Sequence, residues 1–277
     1  LLCLLYTYAL LHLEGKNKAR TREIDMMIKL LSSLLLCLFA VGAGAAGPKV
    51  VLDEADVDIY DKPSLQRGVA LFTNYCMGCH SMKYSRYERV ADDIGIPHEL
   101  YQENLIFGDA KIGELMEIAM EPEMAASWIG AAPPDLTLVA RLRGGDWLYS
   151  YLRAFYKDDS RPLGVNNSVF KDVGMPHAMV SLQGLCDHKP HFGGEGSIDP
   201  ISGKEVGLPG CQSFVTEGSM TPAEFDQAML DLTNFLVYVG EPSKLQANAI
   251  APFVLVFLVI LFVPAYLLNR EYWKDIH

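Results

Sequence analysis

Cys76-Met77-Gly78-Cys79-His80 is the stretch whose reading decides the fold. Its C-x-x-C-H spacing is that of a c-type haem attachment site. Thiols at this separation reach the two vinyl groups of a porphyrin. The histidine directly after them is then held over the iron as its proximal ligand. C-x-x-C also serves zinc sites and thiol redox centres. A zinc site would need a second ligand pair, and Cys186 and Cys211 are too far apart to form a second C-x-x-C.

The residues before the motif read as the helix that carries it. Pro63 opens the helix, and Leu65, Val69, Phe72 and Tyr75 recur at helical spacing. After the motif, Ile112 to Met120 is the clearest further helical pattern. Ala131-Ala132-Pro133-Pro134-Asp135 is a rigid turn, because successive prolines fix φ and bar a helix. Asp146 is placed to cap the next helix, whose apolar face is Trp147, Leu148, Tyr151, Leu152 and Phe155. Residues 157–221 are mostly loop. The last soluble helix is fully punctuated: Thr221 as N-cap, Pro222 at the first position, and Glu224 completing a capping box. Phe225, Met229, Leu232 and Leu236 form its buried stripe, Gly240 ends it, and Pro242 prevents it resuming. This order predicts an all-α haem fold, with a long loop region presenting a second axial ligand.

The two ends point to a membrane and an export route. Met26-Met27 is followed by Lys29, an apolar run reaching Val41, and the small residues Ala43-Gly44-Ala45-Ala46. That is the order of a secretory signal peptide, with cleavage expected near Ala45. At about 14 residues the run is shorter than the roughly 20 needed to span a bilayer. Ala249 to Leu268 carries no charge and is long enough to cross once. Tyr266 and Trp273 suit the interface. Arg270 and Lys274 after the span place the short tail in the cytoplasm. The bulk of the chain is then expected in the periplasm of a bacterial inner membrane.

Composition agrees. The chain of 277 residues has a formal net charge of −11. An acidic balance argues against nucleic-acid binding, which calls for a basic face. Asp53, Glu54, Asp56, Asp58 and Asp61 form one cluster, suited either to steering a basic partner or simply to solubility. Cys186 and Cys211 are the pair left over in an oxidising compartment, so a disulfide between them is expected.

An electron-carrying haem needs a second axial ligand, and methionine suits a high potential. Met175 stands out in Asp172-Val173-Gly174-Met175-Pro176-His177, where Pro176 stiffens the backbone and Gly174 permits close approach. Met179 and His177 are its rivals. Arg141 and Arg143, ahead of Gly144-Gly145, are candidates to pair with haem propionates.

Taken together, the chain resembles the cytochrome c1 family over most of residues 60–270. The resemblance rests on Arg67-Gly68 before Cys76-Met77-Gly78-Cys79-His80-Ser81-Met82, then Tyr84. It continues through Pro133-Pro134-Asp135-Leu136, Ala140-Arg141, Arg143-Gly144-Gly145-Asp146 and Gly174-Met175. Phe235-Leu236 and Glu241-Pro242, ahead of a single C-terminal span, complete it. The ending Arg270-Glu271-Tyr272-Trp273-Lys274-Asp275 resembles proteobacterial members, and residues 180–215 depart from mitochondrial ones.

The resemblance implies a class I cytochrome c-like haem domain with long loop insertions and one C-terminal transmembrane helix. It implies one haem c, covalent through Cys76 and Cys79, with His80 and Met175 as axial ligands. Arg143 would then sit near a propionate, with Pro134 and Trp147 in the haem wall. The expected organisation is 1–45 as upstream segment and signal peptide, 46–246 as the periplasmic domain, 247–269 as anchor and 270–277 as cytoplasmic tail. The implied role is electron transfer within a cytochrome bc1 complex, ubiquinol–cytochrome c reductase. Electrons would come from the Rieske iron–sulfur protein and go to a periplasmic cytochrome c, with cytochrome b as the partner that oxidises quinol. No catalytic activity of its own is expected. A membrane-anchored cytochrome c of another respiratory complex, or a haem peroxidase or sensor, are the alternatives.

Overall fold

The computed structural model describes residues 51–192, 197–198, 205–206 and 210–274. For 197–198, 205–206 and Asn248 only the backbone is described. The signal-peptide reading at 1–45 lies outside these residues.

Residues 51–61 run extended, and their burial alternates. Asp53, Ala55, Val57 and Ile59 turn inward, while Glu54, Asp56 and Asp58 turn out. The segment is tied down through its backbone. The amides of Asp53, Ala55 and Asp58 donate to Ser150 Oγ, Asp146 Oδ1 and Asn234 Oδ1 at 2.9, 2.9 and 3.1 Å. The acidic cluster is therefore not one uniform charged surface. Asp53 pairs at 2.7 Å with Arg153, a buried guanidinium that also binds Asp226 at 2.6 Å.

Helix α1 spans Lys62–Leu71. Asp61 caps it, accepting from the Ser64 amide, and Pro63 sits in its first turn. A single π-helical turn, Phe72–Cys76, continues it into the C-x-x-C-H motif. Strand β1 (Met82–Arg86) and helices α2 (Tyr87–Ile94) and α3 (His98–Leu105) follow. Then come strand β2 (Leu115–Met116) and helix α4 (Pro122–Ile129).

The helix expected over Ile112–Met120 is not formed. Its centre is β2, antiparallel to β1. The carbonyls of Ile112 and Glu114 accept from the Glu88 and Tyr87 amides, the latter two opening α2. From Met116 to Met120 burial alternates residue by residue, so the apolar spacing serves an extended run.

Helices α5 (Val139–Arg143) and α6 (Gly145–Leu152) are separated by Gly144 at φ +91°, ψ 159°. That left-handed φ favours glycine. The break restarts the helix at Gly145, so Asp146 lies in its first turn rather than at the cap. Its carboxylate accepts from Ala55 instead. A hairpin, β3 (Phe155–Lys157) with β4 (Val165–Asn167), precedes the short helix α7 (Val180–Gln183). Strands β5 (Gly184–Cys186), β6 (Ser197–Ile198), β7 (Glu205–Val206) and β8 (Phe214–Glu217) pair as β5–β8 and β6–β7. Cys186 and Cys211 are joined by a disulfide.

Helix α8 (Pro222–Gly240) bears the expected capping box of Thr221 and Glu224. It crosses α1 at the centre of the main core. A Cβ on Gly68 would lie 2.2 Å from the Asp231 carbonyl oxygen and 2.6 Å from Phe235 Cβ. Only glycine lets the two backbones approach this closely. Beside the crossing, Asp231 accepts from Ser64 Oγ at 2.7 Å and from Arg67 Nε at 2.6 Å. Leu65, Val69, Phe72, Phe225, Met229, Leu232 and Phe235 fill the interface.

Helix α9 runs Lys244–Tyr272, with Pro252 and Pro264 inside it. Its stretch Ala249–Tyr272 has 24 residues, and its most apolar 18-residue window has a mean hydropathy of 2.7. At 1.5 Å per residue this measures about 36 Å, more than a hydrocarbon core of about 30 Å. The fold is thus mostly helical, with small two-stranded sheets and one apolar C-terminal helix.

These contacts predict two outcomes. Gly68→Ala should destabilise the domain by about 1–3 kcal/mol, the usual range for overpacking, and thermal unfolding of the purified protein should show the loss. Replacing Cys186 and Cys211 together by alanine opens a loop of sequence separation 25. The chain-entropy model puts the cost at about 3 kcal/mol. Denaturant unfolding should show it with the bound pigment retained.

Candidate haem site

The proximal half of the site grows from the end of α1. Beyond the π-helical turn the chain folds back tightly. The Cys79 and His80 amides donate to the Cys76 carbonyl at 3.0 and 2.9 Å. Cys76 is buried and Cys79 exposed, and the two thiols are not joined to each other. Burial pushes the Cys76 thiol up to about 12. The His80 ring is buried, and its Nδ1 lies 2.7 Å from the Pro134 carbonyl oxygen. A carbonyl only accepts, so Nδ1 carries the proton and Nε2 keeps its lone pair. Burial holds the imidazole below its usual range. This is the orientation a metal-binding histidine takes, its far nitrogen fixed by a carbonyl.

Pro134 belongs to a strap bound along its length to the motif's continuation. The Leu136 amide donates to the Ser81 carbonyl at 2.9 Å. The Lys83 amide donates to Asp135 Oδ2 at 2.8 Å. The prolines hold the strap extended, and α5 follows it. The two candidate arginines part ways here. Arg141 faces Glu241 at 3.8 Å. Arg143 lies over the Trp147 ring at 5.0 Å and over Phe170 at 5.8 Å. Among the described residues no carboxylate pairs with Arg143, so its fork of donors remains open to an acidic group.

Met175 lies against α6, at Tyr151. Trp147 stacks on Tyr151 at 4.8 Å, and the Tyr151 hydroxyl donates to Met175 Sδ at 3.3 Å. Burial pushes the Tyr151 hydroxyl up, which keeps it a neutral donor. The loop before Met175 is held by residues the sequence did not single out. Asn166 Oδ1 accepts from the Asp172 amide at 2.9 Å, and Arg161 Nη2 donates to the Asp172 carbonyl at 3.0 Å. Asp172 adopts φ +62°.

The rivals have other employment. Met179 is fully buried in the main core as packing. His177 stacks on Phe155 at 4.9 Å and donates from Nε2 to the Gly184 carbonyl at 3.2 Å. Burial pulls its titration down to about 4.

A run of contacts therefore joins His80 to Met175 through Pro134, α5, Arg143, Trp147 and Tyr151. The donor set along it fits a c-type haem: free thiols at the C-x-x-C spacing, an imidazole nitrogen with its lone pair available, a thioether and an unpaired guanidinium.

Comparison with known proteins bears on the same residues. The model of the Cytochrome C1 family matches residues 54–276. Cytochrome c1 of Allochromatium vinosum is 46% identical over 91% of this chain and 100% of its own. The ammonia monooxygenase gamma subunit of Nitrosomonas europaea is 41% identical over 91% of this chain and 99% of its own. Cytochrome b/c1 of Bradyrhizobium diazoefficiens is 26% identical over 79% of this chain but 34% of its own. With the family match covering the haem motif, the strap, Met175 and α9 alike, the chain belongs to the cytochrome c1 family, c-type haem electron-transfer subunits of the cytochrome bc1 complex.

Proposed function

We propose that the chain relays single electrons from a Rieske iron–sulfur protein to a periplasmic cytochrome c, through one haem c held covalently by Cys76 and Cys79. The observation that carries this reading is the His80 ring, turned by the Pro134 carbonyl so that Nε2 is left to bind iron. His80 and Met175 would hold its iron, Arg143 would pair with a propionate, and Pro134 and Trp147 would form part of its wall. The bound group supplies the one-electron couple of its iron. The chain's part is to hold, orient and shield. His80 is made a better donor by its hydrogen bond to the carbonyl. The strap and the aromatic stack would shield the bound group, and Arg143 would balance an acidic substituent of it.

The surroundings of the relay follow from the anchor. Residues 247–269 cross the inner membrane, with Arg270 and Lys274 holding 270–277 on the cytoplasmic side. Residues 46–246 then lie in the periplasm, and 1–45 are removed on export. Cytochrome b is the neighbour in the membrane, and quinol oxidation belongs to it. The relative named cytochrome b/c1 supports that pairing. The relative named for ammonia monooxygenase supports a second reading, in which the same haem module serves another membrane complex. Purification from mild detergent separates the two: cytochrome b and Rieske subunits should come with this chain, and an oxygenase in their place overturns the bc1 assignment.

Ligation is tested by Met175→Leu. The pigment should remain on the denatured polypeptide, because the thioether bonds are elsewhere. The midpoint potential should fall, since a methionine ligand raises it. An unchanged potential and spectrum would remove Met175 from the iron. Replacing Cys76 and Cys79 together should leave a polypeptide without pigment on a denaturing gel.

A further inference from the structure

Tyr151 takes no part in the sequence signature of the site, yet its hydroxyl is the hydrogen-bond partner of the Met175 sulfur, at 3.3 Å. A half-buried tyrosine hydroxyl set among apolar groups needs an acceptor, and here the acceptor is a thioether. The ring has little freedom to swing away. Trp147 stacks on it at 4.8 Å and 10° between planes, and Phe155 meets it edge-on at 5.5 Å. Its backbone is fixed as well: Asn167 Nδ2 donates to the Tyr151 carbonyl at 2.9 Å. Asn166, the neighbouring residue of β4, holds the Asp172 amide at 2.9 Å. The same two-residue stretch of β4 thus ties down both the tyrosine and the loop that carries Met175.

We propose that Tyr151 is a positioning residue for the Met175 thioether, its hydroxyl engaging one sulfur lone pair and leaving the other to face the iron. The inference rests on the reading of Met175 as an axial ligand. The chemical consequence has a definite sign. A hydrogen bond to sulfur draws electron density from it. The oxidised iron depends more on that density than the reduced iron does. The hydroxyl therefore favours the reduced form and raises the potential. Tyr151 acts through Met175 and touches no substrate.

The test compares four variants in the intact membrane complex: Tyr151→Phe, Tyr151→Leu, Met175→Leu and the double variant Tyr151→Phe with Met175→Leu. The readouts are potentiometric titration of the haem, the sulfur-to-iron charge-transfer band of the oxidised protein, and thermal unfolding. Tyr151→Phe keeps the ring and its stacking. It should lower the midpoint potential and displace the charge-transfer band, with the unfolding midpoint close to that of the unmodified protein. Tyr151→Leu should lower the potential to a similar extent. In the Met175→Leu background, Tyr151→Phe should change the potential no further.

A silent Tyr151→Phe beside a Met175→Leu that loses the band overturns the positioning role and leaves the ligand in place. A Met175→Leu that keeps the band overturns the ligand and the positioning role with it. A potential moved by Tyr151→Leu alone makes the ring's bulk the agent and overturns the role of the hydroxyl.

Discussion

The crossing of α1 and α8 at Gly68 is the constraint on which the remaining structure depends. Two helix backbones meet there with no side chain between them, and the Asp231 carbonyl occupies the space a Cβ would need. Close approach sets the angle at which α1 leaves the core, and hence where the C-x-x-C-H turn begins. The polar contacts around the crossing fix its register. Asp231 draws Ser64 and Arg67 onto α8, and Asn234, close by on the same helix, donates to Ser64 at 2.8 Å. A buried carboxylate with several donors is costly to break and indifferent to small apolar changes nearby. The helices are therefore locked along their length by hydrogen bonds and across it by steric contact.

From that crossing the two halves of the site are reached by different means. His80 is delivered by continuous helix and one π-helical turn, and its ring is then turned by a strap from elsewhere in the sequence. The strap is in turn pinned to the core: a Cβ on Gly240 at the end of α8 would lie 3.6 Å from the Thr137 carbonyl and 3.3 Å from Arg141 Cγ. Met175 is delivered by a loop, and loops hold a position only when something outside them fixes it. Here the fixing groups are Asn166, Asn167 and Arg161, with Tyr151 on the sulfur itself. The candidate site thus combines a His80 side built on helices with a Met175 side whose geometry depends on a few hydrogen bonds.

That division explains what could be read from the chain. The haem motif, the strap, the capping box of α8 and the apolar C-terminal helix were legible because each is local: fixed residue types at fixed spacings, with a stated physical reason. Spacing alone left Met175 beside Met179 and His177 as candidate ligands, and only the family resemblance set it apart; the burial and partners that distinguish the three are set by the fold. The helix expected over Ile112–Met120 failed because apolar residues at such spacings also suit a short extended run, and the competing partners, at the start of α2, lie earlier in the chain. Asp146 failed as a cap because Gly144 had already broken the helix. Tyr151 carried a weak signal, its position four residues after Trp147 on one helical face. The asparagines of β4 carried none, because their role is defined by a loop they do not adjoin.

The acidic balance shows the same gap between composition and field. A net charge of −11 suggests a surface that attracts cations, but a carboxylate paired with a cation contributes less at a distance than an unpaired one. Asp53 is taken by Arg153, whose guanidinium also holds Asp226 and lies 4.3 Å over the Tyr149 ring. Asp61 caps α1 and Asp58 accepts from the Tyr60 amide at 2.8 Å, so both are fixed in place with their charge kept. Of the cluster that opens the domain, Glu54, Asp56 and Asp58 face outward at the alternating positions of an extended segment. Any steering of a basic partner from this edge thus rests on fewer carboxylates than composition counts. The first duty of the segment is mechanical: it binds the beginning of the domain to α6 and α8, the two helices that also carry the Trp147–Tyr151 stack and the crossing.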